Sequence, residues 1–154
     1  MNQQLTFRLA TANDLVEIVQ MLADDPLGSM REKLELPLPE AYIKAFERII
    51  KDSNQELTLA ELNGKPVGTF QLTFIQYLTH QGGLRAQIEA VRVHSTHRGK
   101  GIGTAMFTYA IERAREQGCY MLQLTTDKQR PKAVHFYESL GFVATHEGMK
   151  LNLR

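Results

Sequence analysis

The 154-residue chain has a single cysteine, Cys119, so it can form no internal disulfide and no thiol cluster for a metal. Charge of either sign is not in excess: 18 Lys and Arg stand against 17 Asp and Glu, leaving no long-range field to recruit a polyanion. Nucleic acid is therefore not an expected partner. No apolar run reaches membrane-spanning length, and the opening residues MNQQLTFRLATANDL hold neither a basic nor an apolar leader segment. The expectation is a cytoplasmic protein with no membrane association. Repeats, low-complexity tracts and long linkers are also missing, and the length suits one domain, residues 1–154, with a core that stands without disulfides or metal. No histidines have metal-ligand spacing such as HExxH, so no metal is expected.

What is present is a sequence of clear periods. Thr11 opens a capping-box-like start, and Leu15, Ile18, Val19 and Leu22 follow at helical spacing. The irregular stretch 24–39, DDPLGSMREKLELPLP, reads as a loop within the domain. Pro39 suits a first helical position, and Tyr42, Ile43, Phe46, Ile49 and Ile50 form one apolar stripe behind it. ELTLAEL and VGTFQLTF alternate around Asn63-Gly64, a hairpin signal. A second turn at residues 80–83 leads into LRAQIEAVRVH. There Leu84, Ala86, Ile88 and Ala90 hold the even positions, whereas Val91 and Val93 hold the odd ones. A strand that changes phase without a turn residue carries the trace of a β-bulge. From Gly101 the period is helical, with Ile102, Ala105, Met106, Tyr109, Ala110 and Ala114 inward, as far as Gln117-Gly118. A strand YMLQLTT, a helix from Pro131 to a Gly141 stop, and short strands at FVAT and MKLNL complete the chain. The expected fold is α+β: a central, mostly antiparallel twisted sheet of about seven strands with a bulged fourth strand, and about four helices on its faces.

Between the bulged strand and the following helix lies VHSTHRGKGIGT, residues 93–104. A tight loop before a helix offers unpaired backbone N–H groups and a partial positive charge, a site for phosphate oxygens. The Walker pattern fails because Lys100 is followed by glycine and no glycine lies five residues before it. GxGxxG fails because Gly99, Gly101 and Gly103 give GxGxG after a strand of an antiparallel meander. Nucleoside triphosphates and nicotinamide cofactors are thereby disfavoured.

Arg98-Gly99-Lys100-Gly101-Ile102-Gly103 gives R-x-x-G-x-G after a bulged strand, and AVHFYESLGF, residues 133–142, gives A-x-x-F-Y-x-x-x-G-F. In these two segments the chain resembles the GNAT superfamily of acyl-CoA-dependent N-acetyltransferases, closely from about residue 56 onward and in element order before it. Singly, each segment also reads as a structural turn or as helix core. The resemblance implies acetyl-CoA as donor, its pyrophosphate on the backbone amides of Arg98 to Thr104 (Arg98, Gly99, Lys100, Gly101, Ile102, Gly103, Thr104), with the Arg98 and Lys100 side chains near phosphates. It implies that the backbone of Val91, Arg92 and Val93 pairs with the pantetheine arm, and that an N–H near Val91 polarises the thioester carbonyl. Phe136 and Ala133 fall in the cofactor-binding segment of the last helix. Many family members carry Asn where this chain has Arg130, which can bond the cofactor but offers no amide acceptor.

Acetyl transfer to an amine needs a neutral nucleophile, a stabilised oxyanion and a proton for the departing thiolate. The resemblance assigns the proton donor to Tyr137; the residue pattern alone also allows a packing role. Glu89, at the bulge, is the candidate base, directly or through a water, against the reading of a solvated strand glutamate. His94 and His97 read as polar-loop residues, His135 and His146 have weaker claims, and Cys119 reads as core filler. Residues 24–39 would flank the acceptor cleft, with Phe74, Gln76 and Tyr77 as candidate walls. The loop carries Asp24, Asp25, Glu32, Glu35 and Glu40 at or near it against Arg31 and Lys33, which points to a cationic amine. A small-molecule amine or amino acid is the first expectation for the acceptor, a protein N-terminus or lysine the second, and a non-catalytic acyl-CoA sensor the alternative class. The resemblance also allows a homodimer.

Overall fold

The alternating segments pair as their spacing asks. In the computed structural model, which describes residues 3–154, β1 (Leu5–Leu9), β2 (Gln55–Leu62), β3 (Lys65–Gln76), β4 (Leu84–Val93) and β5 (Met121–Gln123) form one sheet in the order β1-β2-β3-β4-β5. All neighbours are antiparallel except β4 and β5, which run parallel. The β2–β3 hairpin turns at Asn63-Gly64, both with positive φ (53° and 78°), the backbone that makes this dipeptide a tight turn.

The helices are α1 (Leu15–Ala23), α2 (Gly28–Arg31), α3 (Glu40–Lys51), α4 (Thr79–Gly82), α5 (Ile102–Glu116) and α6 (Pro131–Ser139). Two expectations need correction. The sheet has five strands among the described residues, not seven, since FVAT and MKLNL are not strands within the second unit. Among the described residues there are six helices rather than four because α2 and α4 are single turns, too short for a periodic signature. In α4, His80 and Gln81 even take left-handed backbone, φ 53° and 58°.

Each sheet face has its own cover. α1 and α3 bury Leu15, Ile18, Val19, Met21 and Phe46 against Leu59, with Leu57 packed at the margin. On the opposite face α5 stacks Tyr109 on Phe7, centroids 4.5 Å apart, and meets Phe70 edge-on at 6.2 Å. α5 lies so close to the sheet that a Cβ on Gly68 would stand 2.7 Å from the Met106 sulfur and 3.1 Å from the Arg92 carbonyl oxygen, so any other residue there would require the Met106 side chain to move. The entry to α1 is fastened by Asp14, whose carboxylate accepts from Arg8 at 2.7 and 2.9 Å, from the Thr11 N–H at 2.7 Å and from its hydroxyl at 3.0 Å. The chain divides into two compact units, residues 1–123 with the whole sheet and residues 124–154 with α6.

Candidate functional site

The phase slip in β4 is a bulge. Thr69 pairs with Arg92 and Gln71 with Glu89, so Ala90 and Val91 together oppose Phe70. Ala90 takes φ 53°, the left-handed conformation of the first residue in one bulge class, here without the usual glycine. The extra residue returns Arg92 to the face that Glu89 occupies, because Thr69 and Gln71 share a face of β3. Beyond the bulge β4 is no longer paired with β5, since the β4–β5 register stops at Gln87 and Gln123. The backbone of Val91, Arg92 and Val93 thus runs along an opening between two strands.

Two arginines tie this opening to the chain after α1. Arg92 Nε lies 2.9 Å from Asp25 Oδ2, with both side chains nearly buried. The Arg98 guanidinium donates to the Asp24 carbonyl at 2.8 Å and to the Val93 carbonyl at 3.2 Å. Asp24 and Asp25, counted in the sequence among the acidic groups near an acceptor, are the residues these two arginines meet. Sequence spacing could not reveal this, because the partners lie about 70 positions apart.

The loop then delivers α5. Gly99 and Gly101 have φ 73° and 79°, and an added Cβ at either would meet nothing within 4 Å, so backbone conformation rather than space calls for glycine. Ala105 N–H donates to the Gly101 carbonyl at 3.1 Å, and no side chain caps the helix at Gly101. The N–H groups of Ile102, Gly103 and Thr104 therefore have no intrahelical acceptor and stand at the positive end of a 15-residue helix. The Lys100 ammonium donates to the Thr96 carbonyl at 3.1 Å. His94 and His97 both contact the Thr96 hydroxyl, at 2.9 and 2.8 Å, and so build the loop as expected.

Glu89 projects from β4 into solvent on the α1 face, in the row that runs from Leu57 through Gln71. Its carboxylate ends a directional chain of hydrogen bonds. Arg85 donates to Gln123 Oε1 at 3.0 Å, Gln123 Nε2 to Gln87 Oε1 at 2.8 Å, and Gln87 Nε2 to Glu89 Oε1 at 2.6 Å. A cation at one end and a carboxylate at the other fix which way both amides point. Arg85 is itself held, its guanidinium 4.8 Å from the Tyr77 ring centroid and bonded to the Tyr120 hydroxyl. Gln87 and Gln123 escaped the sequence reading; the one available signal was that Arg85, Gln87 and Glu89 alternate onto one face.

The remaining predicted residues belong to the second unit. Arg130 caps α6, Pro131 opens it, and Ala133, Phe136 and Tyr137 are half-buried on it. Tyr137 lies 5.6 Å from the Phe136 ring and 6.2 Å from that of Phe142, and its carbonyl accepts from the Phe142 N–H at 3.1 Å as the helix ends. Gly141 makes that ending with φ 95°.

Of the candidate cleft walls, Phe74 is core, 5% exposed, and Gln76 closes the β3–β4 turn by donating to the Gly82 carbonyl at 2.8 Å. Tyr77 is the platform under Arg85. Cys119 is partly buried, and burial pushes its thiol up from the usual range, which suits filler rather than a nucleophile. No group of three potential metal ligands occurs among the described residues, and no helix there is long and apolar enough to cross a membrane.

Comparison with known proteins agrees with this geometry. The acetyltransferase (GNAT) family profile matches residues 17–142, across both units. A crystal structure of a transcriptional regulator from Bacillus halodurans C-125 is similar over 97% of this chain and 100% of its own, at 55% identity and a TM-score of 0.94. A putative acetyltransferase from Agrobacterium tumefaciens is similar over 96% of this chain and 99% of its own, at 30% identity and a TM-score of 0.84. Among curated proteins, the aminoalkylphosphonate N-acetyltransferase of Salmonella typhimurium is 30% identical over 107 residues, 70% of this chain and 69% of its own. The glucosamine 6-phosphate N-acetyltransferase of Trypanosoma brucei is 36% identical over 90 residues, 58% of this chain and 59% of its own. The chain spans 43% of the length of an uncharacterized N-acetyltransferase of Methanocaldococcus jannaschii, to which it is 32% identical over 97 residues, 63% of this chain.

Proposed function

Because the chain belongs to the acetyltransferase (GNAT) family, we propose that residues 1–154 act as one cytoplasmic N-acetyltransferase domain that moves an acetyl group from acetyl-CoA to a primary amine. The observation that carries this reading is the coincidence, in one unit, of an opened strand and a glycine loop at an uncapped helix N-terminus. The amides of Arg98 to Thr104 suit a pyrophosphate, since φ near 75° at Gly99 and Gly101 turns successive N–H groups toward one side. Val91 to Val93 suit an extended pantetheine, which needs backbone partners along one strand edge. Arg130, Ala133 and Phe136 are the proposed contacts from α6.

In the reaction the amine nitrogen bonds to the acyl carbon and the carbon–sulfur bond breaks. Glu89 accepts the proton of the amine, directly or through water, and the amide chain behind it holds the carboxylate at the strand surface. A backbone N–H near Val91 stabilises the developing oxyanion, and Tyr137 gives a proton to the thiolate. The acceptor is a small amine or amino acid. Two relatives act, by their names, on small amines, an aminoalkylphosphonate and glucosamine 6-phosphate, which supports this class.

A second reading rests on the Bacillus halodurans relative, which is called a transcriptional regulator: an acyl-CoA-binding sensor without turnover. Calorimetric titration with acetyl-CoA, followed by a thiol-release screen of pooled amines, separates the two. Binding with amine-dependent release supports the enzyme, binding without release across the pool supports the sensor, and no binding overturns both.

A further inference from the structure

The hydrogen bonds that end on Glu89 begin outside the strand stretch that carries it. Gln87 and Gln123 face each other across the parallel pairing of β4 with β5, as its last register pair. Each amide is used at both ends. Gln123 accepts from Arg85 at 3.0 Å and donates to Gln87 at 2.8 Å, and Gln87 in turn donates to Glu89 Oε1 at 2.6 Å. An amide that accepts through its oxygen gives through its nitrogen, so the guanidinium sets the orientation of both amides, including Gln87, which it reaches through Gln123. Turned the other way, Gln87 would bring its oxygen against the carboxylate. The starting point is braced: Arg85 Nε donates to the Tyr120 hydroxyl at 3.0 Å, and its guanidinium lies 4.8 and 5.5 Å from the Tyr77 and Tyr120 ring centroids. Tyr120 is held in turn by its backbone N–H on the Leu84 carbonyl at 3.0 Å and by the His80 ring 4.8 Å away. Glu89 itself is exposed, where a side chain without such a partner samples several rotamers.

We propose that Arg85, Gln87 and Gln123 are positioning residues for acetyl transfer. They present the Glu89 carboxylate in one orientation, with Oε1 occupied by Gln87 and Oε2 left to take the proton of the acceptor amine. This role rests on Glu89 being the base of that reaction, and it adds which oxygen serves and what aims it. The bond from Gln87 persists through the proton transfer, since Oε1 accepts from the amide whether or not Oε2 carries the proton. β5 then takes part in the reaction through its register with β4. A slip of one residue would turn Gln123 to the other face of the sheet and break the chain.

Gln123→Glu keeps an acceptor for Arg85 but has no N–H to give Gln87, and it is expected to lower kcat about tenfold with the KM for acetyl-CoA unchanged. Arg85→Met is expected to do the same. The double variant should cost no more than either alone, because the chain is already broken. A second measurement is independent of turnover. Nuclear magnetic relaxation of the side-chain amides should find Gln87 and Gln123 as ordered as the backbone in the wild type, with order parameters of about 0.85, and Gln87 below about 0.6 in Arg85→Met. Full kcat in Gln123→Glu, losses that multiply in the double variant, or a Gln87 amide that is mobile in the wild type or indifferent to Arg85→Met would each overturn the proposal. Ordered amides in a wild-type protein that turns over no amine would overturn the acetyl-transfer reading, and the positioning role with it, so the two failures are told apart by which signal is lost.

Discussion

The two halves of β4 solve opposite problems with one backbone. From Leu84 to Ile88 the strand has β3 on one side and, over residues 85–87, β5 on the other, and Ala86 and Ile88 are essentially inaccessible at 0% and 1% exposure. From Glu89 to Val93 its paired strand is β3, the pairing with β5 having ended, and every residue is half-buried or exposed. One extra residue separates the halves. The first half holds the sheet together, and the second offers a strand edge and a carboxylate to a ligand. Fold stability and ligand binding should accordingly respond to substitution on different sides of Ala90.

The strongest test lies in the first half. Ile88→Ala should cost about 3 kcal/mol in urea unfolding, the range for a buried aliphatic truncation, while acetyl-CoA affinity of the folded fraction stays within about twofold. A small loss would show that the first half is not the anchor. Just across the boundary, Glu89→Gln should lower kcat by about 100-fold with unchanged stability and donor affinity, and Gln87→Leu, which removes the donor to Glu89, by several-fold. Unchanged turnover in Glu89→Gln would remove the base assignment. Asp25→Asn removes the opposite charge 2.9 Å from the nearly buried Arg92 guanidinium on the second half and should cost about 2 kcal/mol. Ala90→Gly relieves left-handed backbone in a residue with a Cβ and should be neutral to stabilising by about 1 kcal/mol; a clear loss would mean that the Cβ packs.

The smallest effect serves as a control away from β4. Arg8 hydrogen-bonds Asp14 and holds its carboxyl at about 2, below the ordinary carboxylate value. A depressed carboxylate stabilises the fold above its unfolded-state pKa, and that contribution fades as pH falls from about 4 toward 2. The urea midpoint difference between wild type and Asp14→Asn should therefore be present at pH 5 and shrink by pH 2. Its size should be about 1 kcal/mol, since Arg8 is exposed enough for solvent to screen the pair. A difference independent of pH would assign the role of Asp14 to packing alone.

The bulge was legible in the sequence because it is a local event: Leu84, Ala86 and Ile88 hold one parity and Val91 and Val93 the other. The glycine loop was legible because Gly99 and Gly101 sit where a strand period meets a helical one. The latch from Arg92 and Arg98 to Asp25 and Asp24 was not, because nothing in the spacing of a charged residue says which distant charge it meets. The amide chain through Gln123 depends on the parallel pairing of β4 with β5, a long-range choice that no local pattern encodes. The strands expected at the C-terminus show the complementary limit. MKLNL has the right alternation, but a strand is a relation between two segments, and alternation specifies only one of them.

Ala90 has a further consequence, for the record that selection would leave. Its φ of 53° is a conformation that glycine, asparagine and aspartate accept, and that valine, isoleucine and threonine do not. A saturation library at codon 90 should thus retain the first set and lose the second, although the second contains the better strand formers. At one position of this sheet, the preference that builds strands becomes the trait that is purged.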